Sequence, residues 1–280
     1  MTAPIAHPPE TLEGWYVLHE VFRLDRAMLR ETVDDELPEI VDEAREALAE
    51  LTSNDEGGWS AVVPLIGSVA DVMLVHFRPT LDALGDAQRR LRRTRLADFL
   101  EPEYSFLSVT EAGLYHVTAQ LARDAGARGG SVGDEEYVRK LAERGAAERE
   151  SAHIRRRLYP ELPAEMPYVC FYPMSKKRAA GQNWYSLTLD ERSRLMYSHG
   201  TTGKRYAGRV QQVISGAIGL DAWEWGVTLF ARDPLDFKRL VTDMRFDEVS
   251  AVYAEFGEFY VGKVSSVDEW LGELRVDGGR

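Results

Sequence analysis

The side chains best suited to redox chemistry lie in the C-terminal half of the chain, between residues 172 and 199. Tyr172 carries a phenol that can lose an electron and a proton, and Lys176 carries a cation that can hold a carboxylate. His199 carries an imidazole, which is a common ligand of haem iron when access to the iron is open. This combination predicts chemistry on an acidic haem.

Tyr172, Met174 and Lys176 alternate along a run that is typical of a β-strand. Successive strand residues point to opposite faces, so these three side chains are expected to share one face. Taken singly, Tyr172 and Met174 could be core residues and Lys176 a solvated strand end. A phenol, a soft thioether and a cation on the same side of one strand favour a functional interpretation.

His199 follows an amphipathic pattern over residues 189–199 and precedes Gly200, which predicts that the helix ends there. A histidine at that position is often a C-terminal cap, and the alternative is an iron ligand. As a ligand, its second nitrogen would need a carboxylate or carbonyl partner to fix the tautomer. Glu224 and Glu255 are the candidates, and the sequence does not choose between them.

Three further polar residues follow in the same half of the chain. Gln212 lies in a polar strand, either as a solvated residue or as an uncharged hydrogen-bonding group over iron. Arg245 and Ser250 are predicted to lie on a helix. Arg245 could bind a carboxylate through its planar fork, or it could form a surface ion pair with Asp247 or Glu248.

The composition excludes several classes of protein. A formal net charge of -12 over 280 residues argues against a nucleic-acid-binding surface, which needs clustered lysine and arginine. No apolar run is long enough to span a membrane, and residues 1–10 lack the pattern of a signal peptide, so a cytoplasmic protein without membrane contact is expected. Cys170 is the single cysteine, which excludes an intramolecular disulfide and predicts a buried, inert thiol.

The order of predicted elements repeats. The first half predicts strands over 14–22, 59–66, 71–77 and 104–109, with helices over 28–51 and 78–95. The second half predicts strands over 168–174, 210–215, 225–230 and 256–262, with helices over 189–199 and from residue 232 onward. Each half therefore reads β-α-β-β-α-β, the ferredoxin-like pattern. We expect an α+β fold of two such repeats, with antiparallel sheets side by side and helices outside.

The predicted domain organisation has three parts. Residues 1–118 form the N-terminal ferredoxin-like half, and residues 158–280 form the C-terminal half. Between them, residues 119–157 are polar and glycine-bearing, and they are helical from residue 134. This middle part is expected to be a linker with a solvated helix.

Six short motifs of the C-terminal half, taken together, resemble one known family. They are the residues at 172–178, 183–185, 198–200, 206–208, 212–216 and 244–250. The chain is similar in these motifs to the coproheme decarboxylases of the chlorite dismutase superfamily. The similarity is dense over about residues 168–262 and thinner before them, where residues 111–115 still fit. The central segment, over about residues 119–150, is longer than the family pattern.

The resemblance implies an activity and partners. The expected enzyme is an oxidoreductase that decarboxylates Fe-coproporphyrin III (coproheme) to haem b with hydrogen peroxide, releasing two carbon dioxide molecules. The porphyrin would be both substrate and redox centre, held in the C-terminal half. The resemblance also implies a homopentamer and a contact with a ferrochelatase.

The resemblance also implies a role for each site residue. His199 is expected to be the proximal iron ligand and Tyr172 the radical-forming residue. Lys176 is expected to contact the reacting propionate, with Met174 packed beside it. Gln212 is expected to be the distal residue.

Four residues are expected to anchor propionates by the same resemblance. They are Arg245, Ser250, Tyr115 and an arginine just before the Leu-Tyr-Pro stretch. Arg157 fits that last position best, although residues 155 and 156 are also arginines.

Two other functions remain open from the sequence. A chlorite dismutase or peroxidase-type haem enzyme could use the same His199 ligand, but a chlorite dismutase would carry a distal arginine where this chain has Gln212. A non-catalytic haem carrier or sensor would need the ligand and the anchors but no oxidisable Tyr172.

Overall fold

The computed structural model describes residues 7–32, 36–53 and 57–274. Nine strands of this part form one antiparallel sheet. The strands are β1 (Thr11–Leu24), β2 (Trp59–Pro64), β3 (Val72–Arg78), β4 (Leu100–Gly113), β5 (Tyr168–Lys176), β6 (Val210–Gly216), β7 (Trp225–Ala231), β8 (Ala254–Phe256) and β9 (Tyr260–Lys263).

Ten α-helices lie on the outside of this sheet in the described ranges. They are α1 (Arg26–Glu31), α2 (Leu37–Thr52), α3 (Leu81–Arg92), α4 (Tyr115–Ala127), α5 (Glu135–Glu150), α6 (Ala152–Leu158), α7 (Leu189–Lys204), α8 (Leu235–Arg245), α9 (Glu248–Tyr253) and α10 (Val267–Leu274). None of these helices has both the length and the apolar character that a membrane span requires.

The strand order shows the repeat directly. The strands follow the order β2-β3-β1-β4-β6-β7-β5-β8, and β9 also pairs with β5. In each half the first strand is central, the third strand lies beside it, and the last strand lies on its other side. This is the order of a ferredoxin-like unit, and the predicted α+β fold of two such repeats is confirmed.

The two halves join through β4 and β6, so the side-by-side sheets form one continuous sheet. The backbones of Val109 and Thr110 pair with Gly216 and Ser215, respectively. At this junction the buried hydroxyl of Ser108 donates to the hydroxyl of Ser215 over 2.8 Å. Because β4 pairs with β6, the last strand of the N-terminal half adjoins the sheet of the C-terminal half, which carries the predicted site residues.

The far ends of the sheet also approach each other. Leu65, just after β2, forms an isolated bridge with Gly262 of β9. The amide of Ile66 donates to the carbonyl of Val261 over 2.8 Å. A Cβ at Gly262 would collide with the carbonyl oxygen of Pro64, which explains why a glycine stands at this contact.

The apolar cores lie on both faces of the sheet. The inner core joins both halves and includes Val17, Val75, Phe106, Phe171, Val213 and Phe230. Helices α2, α3 and α10 cover the outer face of the N-terminal half, where Ile40, Leu48, Leu91 and Leu271 pack with Leu74 of β3. Cys170, predicted to be inert, is buried in the core of the C-terminal half, and burial raises the pKa of its thiol to about 12.

The central segment differs from the predicted linker with one solvated helix. It contains α4, α5 and α6, which pack around their own apolar cluster against β1 and β4. The predicted helix over 134–157 is interrupted at Ser151, whose hydroxyl accepts from the amide of Ile154 and caps α6. Tyr137 and Ile154 are buried, so these helices are not simply solvated. The division into residues 1–118, 119–157 and 158–280 stays a prediction.

Some element boundaries also differ from the predictions. The helix predicted over 28–51 is two helices, α1 and α2, and residues 33–35 between them lie outside the described part of the chain. The closing strand predicted over 256–262 is divided into β8 and β9, which pair with different parts of β5.

Candidate functional site

The predicted strand face exists and is covered by helices. Cys170, Tyr172 and Met174 of β5 belong to one cluster with the inner side of α8, and Lys176 ends the strand on the same face. Residues of β6 and β7 complete this face, because Tyr172 pairs with Val227 and Val227 pairs with Ile214. The side chains of Tyr172, Met174 and Lys176 therefore project from a strand of the sheet rather than from a loop.

Tyr172 is held in an aromatic and largely apolar environment. Its side chain is buried, and its ring stacks on Phe259 with centroids 4.3 Å apart and lies 6.0 Å from Phe256. Burial raises the pKa of its phenol, so the hydroxyl keeps its proton at neutral pH. The hydroxyl makes no hydrogen bond with the described residues, which leaves it available to a ligand.

Lys176 is buried at the end of β5. Its Nζ lies 4.6 Å from the ring centroid of Trp184, and its backbone amide donates to the carboxylate of Glu224 over 2.7 Å. Desolvation lowers the pKa of Lys176 to about 8, although the carboxylates of Asp247 and Glu224 oppose the shift. The alternative interpretation of Lys176 as a solvated strand end is therefore excluded, because the side chain is buried.

His199 lies within α7 rather than at its end. The helix begins at Leu189 after the N-cap Thr188, which forms a capping box with Glu191, and it continues past Gly200 to Lys204. A Cβ at Gly200 would meet nothing within 4 Å. Gly200 is therefore an exposed interior glycine, and the predicted helix end at His199 is wrong.

The second-nitrogen partner of His199 is Asp247. The Nδ1 of His199 lies 2.7 Å from Oδ2 of Asp247, a buried carboxylate at the start of α9. Burial lowers the pKa of His199, so the ring is neutral at neutral pH and Nδ1 carries the proton that the carboxylate accepts. The Nε2 atom is then left with a free lone pair, as a metal ligand requires.

The two carboxylates expected to hold His199 are elsewhere. Glu255 is exposed on β8, and Glu224 accepts from the backbone of Lys176 and forms an ion pair with Arg178. The sequence did not identify Asp247 because the contact joins two helices across 48 positions. From the sequence, Asp247 was expected only as a surface ion-pair partner of Arg245.

Gln212 lies on the sheet opposite α7. It pairs with Leu229 and Leu229 pairs with Cys170, so the three lie in one row across the sheet. A Cβ added to Gly203 of α7 would lie 3.3 Å from Nε2 of Gln212. Gly203 follows His199 by four residues, so the amide of Gln212 lies against the side of α7 that carries His199.

Arg245 and Ser250 lie on two consecutive helices instead of one. Arg245 is the last residue of α8, and its guanidinium lies 3.7 Å from the ring centroid of Phe256. No ion pair of Arg245 with Asp247 or Glu248 occurs in the described part of the chain. Ser250 is buried within α9. The arginine therefore remains exposed at the rim of the site, near Tyr172.

A second group of polar residues lies at the junction between the halves. Glu111 of β4 accepts a hydrogen bond from the indole of Trp225 over 2.7 Å. Its carboxylate lies over Gly216, where an added Cβ would collide with Oε2. Burial raises the pKa of Glu111, and the nearby Arg157 opposes the shift. Of the three consecutive arginines, Arg157 alone is partly buried, and the other two are exposed.

Tyr115 opens α4 beside this group. It packs against the cluster around Trp184, and burial raises the pKa of its phenol to about 12. Its charged neighbours are Arg192 and Glu111. The structure thus brings Tyr115 and Lys176 to the same aromatic cluster, although 61 positions separate them in the sequence.

Comparisons with known proteins identify relatives of this chain. The family model described as chlorite dismutase matches residues 38–265. A coproheme decarboxylase from Staphylococcus carnosus (strain TM300) is 42% identical over 257 residues, covering 91% of this chain and 93% of that protein.

Solved structures share the fold along nearly the whole chain. A heme-binding protein from Thermus thermophilus matches with a TM-score of 0.82 at 38% identity, covering 97% of this chain and 99% of that chain. A mutant chlorite dismutase from Candidatus Nitrospira defluvii matches with a TM-score of 0.69 at 19% identity, covering 94% and 96% of the two chains, which shows a common fold alone. From the family match and the identity to the staphylococcal relative, the chain belongs to the chlorite dismutase family.

Proposed function

We propose that this protein is an enzyme that converts Fe-coproporphyrin III to haem b with hydrogen peroxide, releasing two carbon dioxide molecules. The observation that carries the proposal is the cluster that His199 and its partner Asp247 form with Lys176, at the end of the strand that also carries Tyr172. The 42% identity to a coproheme decarboxylase and the structural likeness to a heme-binding protein support it.

The residues present fit an acidic iron porphyrin as substrate. His199 offers a neutral Nε2, because Asp247 accepts the hydrogen bond from Nδ1. Lys176 supplies a cation inside the site, and Arg245 supplies one at its rim. Tyr172 offers a protonated phenol without a hydrogen-bond partner among the described residues. These groups match a macrocycle with a metal at its centre and carboxylates at its edge.

The chemistry can be written for one propionate at a time. The bound porphyrin iron reacts with peroxide and thereby supplies the oxidising power. Tyr172 loses one electron and its phenolic proton, and the resulting tyrosyl radical takes a hydrogen atom from the propionate side chain. The side-chain radical then gives a second electron to the oxidised iron porphyrin and loses carbon dioxide and the carboxyl proton, which leaves a vinyl group. Each propionic acid and one hydrogen peroxide thus give one vinyl group, one carbon dioxide and two waters.

The other site residues position the substrate in this proposal. Lys176 holds the reacting propionate, and Met174 packs beside it. Gln212 faces the distal side of the iron. The anchors of the remaining propionates are Arg245, Ser250, Tyr115 and Arg157.

A direct test uses purified protein with Fe-coproporphyrin III and a peroxide titration. Mass analysis of the pigment should show loss of two carbon dioxide molecules and four hydrogen atoms per porphyrin, and the titration should show consumption of two peroxides. If the protein binds haem b but does not form it from Fe-coproporphyrin III, it is a carrier or sensor instead. Oxygen release from chlorite would indicate a chlorite dismutase, which the uncharged amide of Gln212 disfavours.

The proposal also includes a homopentamer in the cytoplasm and a contact with a ferrochelatase. The pentamer and the ferrochelatase contact rest on the family resemblance, and the cytoplasmic location rests on the sequence expectation given above. Light scattering of the purified protein would measure the mass of the assembly, and five copies of the 31.6 kDa chain are expected.

We expect Gln212→Ala to slow haem b formation only several-fold. The amide carries no charge, and one neutral hydrogen bond contributes about 1 kcal/mol. Steady-state rates at saturating peroxide measure the effect. Gln211→Ala is the matched control, because Gln211 is the next residue on the same strand and points to the other face. Complete loss of activity in Gln212→Ala would contradict the assigned distal role.

We expect the affinity for Fe-coproporphyrin III to fall as the pH rises above about 8. In the free protein, the burial of Lys176 lowers its pKa to about 8, so above that pH the lysine must regain a proton to hold a carboxylate. Below that pH the cation is already present and the affinity is independent of this group. Absorbance titrations between pH 6.5 and 10 measure the affinity, and Lys176→Met should flatten the dependence of the affinity on pH. A profile that keeps its slope in Lys176→Met would assign the titration to another group.

A further inference from the structure

Arg192 lies on the same face of α7 as the proposed iron ligand. It precedes His199 by seven residues, which is about two helical turns, so both side chains lie on one side of the helix. Leu195 and Met196 fill the turn between them and are buried or partly buried. Arg192 itself is only 3% exposed.

The guanidinium of Arg192 has no countercharge in the part of the chain that the structure describes. Its Nη2 donates to the backbone carbonyl of His7, but its buried Nε has no hydrogen-bond partner. No Asp or Glu of the described residues forms an ion pair with it. A buried charge without a partner is unfavourable, and burial lowers the pKa of Arg192.

Two tyrosines complete the surroundings of this cation. Tyr115 and Tyr185 both pack against the cluster around Trp184, and both are electrostatic neighbours of Arg192. The hydroxyl of Tyr185 is buried and has no hydrogen-bond partner of normal geometry among the described residues, although the carboxylate of Glu224 lies nearby. Lys176 lies above the ring of Trp184, so this group adjoins the strand face of the site.

We propose that Arg192, together with the hydroxyls of Tyr115 and Tyr185, binds one carboxylate arm of the iron porphyrin. This inference rests on the proposed function. Arg192 lies about 10 Å along the helix from the imidazole, which is the scale of the span from the centre of a porphyrin to its acidic edge. A carboxylate would accept from the free Nε and from the Tyr185 hydroxyl, and it would neutralise the buried cation.

The test compares two ligands in Arg192→Met. The probes are Fe-coproporphyrin III and its tetramethyl ester, which keeps the iron and the ring but carries no carboxylate. We expect Arg192→Met to weaken binding of the tetra-acid roughly 10- to 100-fold, as for loss of a charge-assisted hydrogen bond, and to leave binding of the ester unchanged. Arg194→Met is the control, because it removes the same charge from an exposed position of the same helix.

Arg192 could alternatively serve only to hold the segment around His7. Arg192→Met would then lower the melting temperature of the ligand-free protein and change the affinities for both ligands equally or not at all, which would overturn the inference. Should Arg192→Met fail to fold, Tyr185→Phe gives the same comparison, with a several-fold loss expected for the tetra-acid alone. Wild-type protein that binds both ligands but forms no haem b would reject the proposed function and leave the carboxylate pocket intact.

Discussion

Tyr172→Phe should bind Fe-coproporphyrin III like the wild type and form no haem b when peroxide is added. Phenylalanine keeps the ring that stacks on Phe259 and removes only the hydroxyl. That hydroxyl carries the proton and electron that the proposed reaction needs. The rate should fall by a factor on the order of 10²–10⁴ or more, as for loss of a group that transfers a proton. Single-turnover assays with mass analysis of the pigment measure it.

The control for this variant is Tyr168→Phe. Tyr168 lies on the same strand and the same face, in the same apolar cluster as Tyr172. Its substitution by phenylalanine also removes one phenolic hydroxyl. It should retain wild-type turnover. Because the Tyr172 hydroxyl has no hydrogen-bond partner among the described residues, Tyr172→Phe should change the free energy of unfolding by about 1 kcal/mol or less. Undiminished haem b formation in Tyr172→Phe would remove the tyrosyl radical from the mechanism.

His199→Ala should lose the axial imidazole signature of the bound iron in absorbance and electron paramagnetic resonance spectra. The variant should bind the iron porphyrin at least 10-fold more weakly and release it on gel filtration. Added free imidazole should restore the spectrum, because the deletion leaves space beside Asp247. His153→Ala, an exposed histidine of α6, is the control.

The same variant should also be less stable without ligand. Removing the imidazole leaves the buried carboxylate of Asp247 without its donor, which costs about 1–3 kcal/mol. Thermal unfolding measures this loss. An unchanged iron spectrum in His199→Ala would show that another side chain ligates the metal. The proposed orientation of the porphyrin would then be wrong.

The sequence predicted the repeat because the signals for it are local. Strand-like runs and helical patterns recur in the same order in the two halves, and each is recognisable from residues close together in the sequence. The junction between β4 and β6 could not be predicted in this way. It depends on pairs such as Ser108 with Ser215, which are 107 positions apart and have no signature of their own.

The site was predictable only in part for the same reason. The shared face of Tyr172, Met174 and Lys176 follows from the strand period. The partner of His199 does not, because Asp247 reaches it only after α7 and α9 pack together. The burial of Lys176 and of Arg192 also depends on tertiary contacts. A single charged residue in a sequence does not indicate whether the folded protein buries it.

The contact between the two ends of the sheet has a consequence for how copies of the chain can associate. The outer strands of an open sheet expose unpaired amides and carbonyls, which recruit strands from other molecules. Here the amide of Ser265 donates to Val62, and that of Ile66 donates to Val261, so backbone groups of both ends are already used. Any association of copies of this chain is therefore expected to use side-chain surfaces, and uncontrolled growth by strand addition is disfavoured.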